Sequence, residues 1–254
     1  MSRPVSPIRA ISTLAAMELR LTARRGENVL VTLVIPVAVL LFFAGTSVIP
    51  LATHPVDFLL PGSIALAIVA AGLVNLGIAT AYERSYGVLK RLGGAPVSRW
   101  GLIAAKIVGI LALEVVQVVV LLGVAGAFLG WHPGEGWSPI LLLVALALGT
   151  VAFAGLGLLL AGTLRAEATL ALANALFLGF LMVGGIILPL DHLPVFLQPI
   201  AATLPATALA DLLRIALASG VDAGTATSAA QPLLLLTVWA VAAAGLAIRT
   251  FHWD

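Results

Sequence analysis

The chain has no cysteine among its 254 residues. That excludes a disulfide framework and a thiolate metal site. Charge is scarce too: 9% of the residues are Asp, Glu, Lys or Arg, where a soluble domain carries about a quarter. So few charges cannot cover a water-exposed globule. Catalytic signatures are missing as well. There is no Gly-x-x-x-x-Gly-Lys-Ser/Thr phosphate loop, no His-Glu-x-x-His and no Gly-x-Ser-x-Gly, and Gly62-Ser63 makes no nucleophile elbow. His54, His132 and His192 lack metal-ligand spacing. Tyrosine occurs only as Tyr82 and Tyr86, and lysine only as Lys90 and Lys106.

What is present is apolar. Hydrophobic residues make up 61% of the chain and mean hydropathy is +1.16. This is the composition of an integral membrane protein. A crossing takes about 20 apolar residues, and six stretches qualify, roughly 28–49, 58–81, 100–130, 138–162, 169–189 and 230–249. The third exceeds one crossing, so it tilts or protrudes. The expected fold is all-α, a single transmembrane domain over 1–254. Residues 1–27 form an N-terminal interfacial part, 28–189 the first five spans, 190–229 an outer segment, and 230–254 the sixth span and tail. The first apolar run starts too late and is too long for a cleaved signal.

Basic residues orient the spans. Arg3, Arg9, Arg20, Arg24 and Arg25 precede the first span. Arg84, Lys90, Arg91, Arg99 and Lys106 lie at or near the loop after the second, Arg165 follows the fourth and Arg249 ends the sixth. On the opposite side only Arg214 is basic. The positive-inside rule then places both termini in the cytoplasm. The pI near 9.5 therefore reflects topology rather than a nucleic-acid partner. Arginine outnumbers lysine eleven to two and alanine is abundant, which points to a GC-rich bacterial genome and the bacterial cytoplasmic membrane.

Two cytoplasmic segments stand out. Residues 11–25 read as a helix with Ile11, Leu14, Met17 and Leu21 on one side, suited to the inner-leaflet interface. Between the second and third spans, Tyr82, Tyr86, Leu89 and Leu92 follow helical spacing, with Glu83, Arg84, Lys90 and Arg91 on other faces. Gly93-Gly94 stops this short helix, Pro96 prevents a simple continuation and Ser98 caps the next. An isolated helix this short is marginal in water and needs something to pack on.

The outer segment carries Pro189, Pro194, Pro199 and Pro205, which divide it into pieces too short to span. These pieces read as short re-entrant helices before the sixth span. Asp211 and Arg214 are three apart and can pair on one face. Inside the spans, Glu114 and Gln117 share a helical side, and Asn75 and Asn174 are the other pathway candidates. The alternative is a structural one, hydrogen bonds between helices worth on the order of 1 kcal/mol each. Gly126-x-x-x-Gly130 and Gly157-x-x-x-Ala161 allow close helix approach and offer a weak signal of a dimer face.

The ordered set Glu83-Arg-x-x-Gly87-x-Leu89-x-Arg91-Leu92, Pro96-Val-Ser-Arg99 and Lys106 resembles the permease subunit of type-2 ABC exporters. The amphipathic start, the six spans and the Pro-rich short helices extend the resemblance over nearly the whole chain. It implies that the loop after the second span is a coupling helix received by a cleft on a separate cytoplasmic ATPase, with Tyr82, Glu83, Arg84, Tyr86, Gly87, Leu89, Lys90, Arg91 and Leu92 at that contact. ATP and Mg would then sit on the ATPase, present in two copies, and this chain would carry no cofactor and no catalytic residue. A second copy or a paralogous permease would complete the pathway. Short outer helices would close its far end, with Pro194, Phe196, Pro205, Asp211 and Arg214 as gate candidates.

An apolar interior favours a hydrophobic drug, lipid or peptide as substrate. Two other classes remain open on the sequence: a proton-coupled secondary transporter using Glu114, and a non-transporting membrane scaffold or sensor. The first lacks an evident inverted repeat with paired broken spans.

Overall fold

The structure, a computed structural model, describes residues 13, 26–46, 55–88, 99–218 and 228–250. Among these residues the secondary structure is entirely helical. Helix α1 (Gly26–Ala44) is followed by α2 (Pro55–Val69), a seven-residue π-helical segment (Ala70–Leu76) and α3 (Gly77–Ser85). The last three run on as one helix of 31 residues. Then come α4 (Arg99–Leu129), α5 (Pro139–Thr163), α6 (Ala166–Val183), a 3₁₀ turn (Leu190–His192), the short helices α7 (Gln198–Ala202) and α8 (Pro205–Leu217), and α9 (Ala230–Thr250).

Five helices are long and apolar enough to cross a bilayer: Pro55–Ser85, Gly101–Leu129, Pro139–Thr163, Ala166–Val183 and Ala230–Thr250. They coincide with the expected second to sixth spans. The expected first span falls on α1, which is apolar from Thr32 to Ala44. The expected helix over 11–25 lies outside the described residues, apart from Thr13, which is helical and exposed.

Helix ends follow local chemistry. Pro139 opens α5, and the Ser138 hydroxyl accepts the Leu141 N–H at 3.2 Å, an N-cap with proline in the first turn. The fifth span stops at Val183, short of the expected 189. The Gly184 N–H bonds to Phe180 O at 2.8 Å, and Gly185 then takes φ +66°, a left-handed turn that glycine adopts without strain.

Helix α5 is the hub, packed most extensively on α9 and also on the π segment, α8 and α3. Helix α2 is hydrophobic all round and buried from Phe58 to Val69, as expected of a helix enclosed on every side. Where α5 crosses the π segment, backbones touch. A Cβ on Gly157 would come 2.5 Å from Gly72 O, and one on Gly77 would come 2.9 Å from Gly157 Cα. Gly157-x-x-x-Ala161 is therefore spent on a crossing inside the protein and not on a dimer face. In Gly126-x-x-x-Gly130, Gly126 is exposed and Gly130 follows the end of α4 at φ +65°.

Helix α8 is too short to span but is buried along almost its whole length. Its end is held by the chain between α4 and α5. The Ser138 N–H bonds to Ala216 O at 2.7 Å and the Gly134 N–H to Leu217 O at 3.4 Å, so carbonyls orphaned at a helix C-terminus are satisfied.

Candidate functional site

Three groups of polar side chains interrupt the apolar bundle. The first lies where the long second helix ends. The sequence pattern put Tyr82, Glu83 and Arg84 on a separate short helix with Leu89 and Leu92. They are instead the last turn of α3, continuous with the span. The helix breaks at Tyr86–Gly87, where the Tyr86 N–H bonds to Tyr82 O, the Gly87 N–H to Arg84 O, and Gly87 takes φ +70°. A run of helical spacing does not reveal such a break, because only the glycine signals it. Val88 is helical again. Leu89, Lys90, Arg91 and Leu92 lie outside the described residues, as do Pro96 and Ser98.

In this last turn, adjacent residues reach different helices. Lys106 Nζ donates to Glu83 Oε2 at 2.8 Å, linking α4 to α3; the lysine side chain is 2% exposed and the glutamate 26%. Arg84 Nη2 donates to Leu164 O in the break between α5 and α6, where carbonyls at a helix C-terminus favour a cation. Tyr82 packs on Ala81, Ala161 and Ala166, and its ring centroid lies 6.0 Å from that of Tyr86. Tyr86 itself is 74% exposed and Val88 41%.

The second group crosses the middle of the bundle. Glu114 is fully buried, and the Thr150 hydroxyl sits between Glu114 Oε2 and Leu146 O. Gln117, also buried, donates through Nε2 to Thr32 O at 3.1 Å, and Asn75 Nδ2 donates to Thr32 Oγ1 at 3.0 Å. Glu114 and Gln117 are thus enclosed by the protein's own helices, while Asn75 and Asn174 are exposed. Asn174 Nδ2 bonds within its helix, to Leu170 O at 2.8 Å. Beside it on α6, Ala171, Ala175, Leu178, Gly179 and Met182 are exposed. Thr32 and Thr150 were not foreseen; their only signal in the sequence is a hydroxyl inside an apolar run.

The third group lies at the opposite end. Arg214 is buried on α8. Its Nη1 donates to Asp211 Oδ1 at 2.8 Å, its Nη2 donates to Gly185 O, and its guanidinium carbon stands 4.1 Å from the centre of the Phe58 ring. The gate candidates therefore separate. Asp211, Arg214 and Pro205 are buried in α8, whereas Pro194 and Phe196 are exposed on the connection before α7. Gln198 Nε2 holds that connection by donating to Leu193 O at 3.0 Å. Among the described residues no group of three or more His, Cys, Asp or Glu is placed to hold a metal ion.

The arrangement suits a membrane device whose basic end is tied to several spans. Comparison with known proteins agrees. The family description "ABC-2 type transporter" matches residues 9–218. A protein of Porphyra purpurea named "Putative transport permease ycf38" is 32% identical over 136 residues, 53% of this chain. That stretch covers 46% of the relative, so the chain spans less than half of its length. With a match over most of its residues, this chain belongs to the ABC-2 type transporter family.

Proposed function

We propose that this chain is the membrane-spanning half of an ATP-driven exporter. It works as a pair, with a second copy or a paralogous permease, above two copies of a separate cytoplasmic ATPase that carries ATP and Mg. Six helices cross the bacterial cytoplasmic membrane: α1, the 55–85 helix, α4, α5, α6 and α9. Both termini and the Tyr86 end lie in the cytoplasm, the side that basic residues favour.

One observation carries this reading. The exposed Tyr86–Val88 segment leaves a helix end bonded to α4 through Glu83 and Lys106 and to the α5–α6 break through Arg84. A displacement of the segment by a partner is thereby delivered to several spans at once. The exposed, small-residue face of α6 with Asn174 is the face offered to the second permease and the pathway. Pro194, Phe196 and their neighbours Val195 and Ile200, all exposed, form the outer gate, while Asp211 and Arg214 belong to its fixed frame. The substrate is an amphipathic drug, lipid or hydrophobic peptide, which fits multidrug efflux and antibiotic resistance. The enclosed position of Glu114 favours this reading over a proton carrier at that residue, which would need access from both sides of the membrane.

Copurification in mild detergent from the native host tests it. A stoichiometric P-loop ATPase is expected with the tagged chain, and Tyr86→Asp with Val88→Asp is expected to release it while the permease stays monodisperse. A preparation free of ATPase that still transports in liposomes under a proton gradient would overturn the proposal.

A further inference from the structure

We infer that Glu83, Lys106 and Arg84 are positioning residues: they fix the direction in which the Tyr86–Val88 segment leaves the bundle and do not themselves touch the ATPase. The inference rests on the coupled-exporter reading above and deepens it.

Resemblance to exporter permeases places Glu83 and Arg84 at the partner contact. Their geometry points inward. Glu83 Oε2 is 2.8 Å from Lys106 Nζ, and the lysine side chain is almost wholly enclosed. If Glu83 turned outward to a partner, it would give up an ion pair to an ammonium that is almost wholly enclosed, which is unfavourable. Arg84 donates to Leu164 O, a carbonyl at the end of α5. Withdrawing it would leave that acceptor short of a donor.

The two ties are complementary. Neighbouring residues on an α-helix project about 100° apart around its axis. Glu83 reaches α4 and Arg84 reaches the α5–α6 break. One tie alone would let the last turn of α3 swivel about it. Two ties in different directions hold both its tilt and its rotation. The break comes immediately after, at Gly87, where a Cβ would meet nothing within 4 Å. The chain is therefore clamped up to Ser85 and open over Tyr86–Val88.

Charge exchange separates positioning from contact. The chain has no cysteine, so Tyr86→Cys provides a single site for a spin label. In purified permease in lipid nanodiscs, the label is expected to be ordered in the parent, mobile in Glu83→Lys and ordered again in Glu83→Lys with Lys106→Glu. Glu83→Gln, which introduces no new charge, serves as a second test of the same loss. Equal mobility in the parent, Glu83→Gln and Glu83→Lys would overturn the clamp.

ATPase capture, read in the unlabelled Tyr86 background, is expected to fall at least about tenfold in Glu83→Lys, because two cations then face each other across the pair, and to recover in the exchanged pair. Recovery of label order without recovery of capture would mean that Glu83 meets the ATPase directly, which overturns the positioning role. If the parent chain captures no ATPase, the exporter reading fails, and the spin label still decides whether the clamp exists.

Discussion

Replacing Arg214 by alanine removes a charge that is almost wholly enclosed in the bundle. The guanidinium pairs with Asp211, reaches Gly185 O and covers the Phe58 ring. Its loss leaves Asp211 as a buried, uncompensated carboxylate, which costs about 3–5 kcal/mol. An orphaned carbonyl and a lost cation–π contact are each worth about 1–3 kcal/mol. These effects share one site and do not add, so about 4 kcal/mol is the reasoned value. In a chain of this size each kcal/mol moves the melting midpoint by about 2–4 °C, which gives a fall of about 8–16 °C. The assay heats detergent-solubilised protein and measures the monodisperse fraction remaining, at one heating rate because unfolding is expected to be irreversible. Asp211→Leu with Arg214→Met removes both charges at similar volume and is expected within about 2 kcal/mol of the parent. A midpoint for Arg214→Ala within about 3 °C of the parent, or a double variant as unstable as the single one, would refute the reasoning.

Gly157→Leu is expected to abolish folded protein, because its Cβ alone would meet Gly72 O at 2.5 Å; recovery of normal yield and thermal stability would show that the crossing can open. Gly126→Leu, where a Cβ would meet only Trp131 O, at an ordinary contact distance of 3.7 Å, is expected to leave yield and midpoint unchanged, and a clear loss would place that glycine at an interface. Thr150→Val removes the hydroxyl between Glu114 and Leu146 O and is expected to lower stability by about 1 kcal/mol; an effect several times larger would make this a main support of the bundle. Glu114→Gln keeps the shape and a polar group facing Thr150, so ATP-driven transport is expected to continue; loss of transport in a stable protein would return Glu114 to a functional role.

Runs of apolar residues made the second to sixth spans legible, since length and composition decide what crosses a membrane. The prolines at 189, 194, 199 and 205 likewise marked where the outer segment breaks. Contacts between distant residues were not legible. Arg84 and Leu164 O are 80 positions apart, and no local pattern ties them. Gly157 offered the same small-residue spacing whether it faced a neighbouring helix of this chain or of another. Asp211 and Arg214 were legible as a pair through their spacing, but their burial depends on Phe58 and Gly185, which only the folded chain brings near. Glu83 and Arg84 carried the family's loop pattern, and that pattern gave no sign that both turn inward.

Cross-linking tests the central claim most directly. Tyr86 and Phe196 lie near opposite ends and are comparably exposed, 74% and 73%. Each is replaced by cysteine in turn in this cysteine-free chain, armed with a photoreactive label and illuminated in native membranes. A P-loop ATPase cross-linked from position 86 and not from position 196 is the expected result. An ATPase cross-linked from position 196, or none from either position while transport persists, would contradict the account.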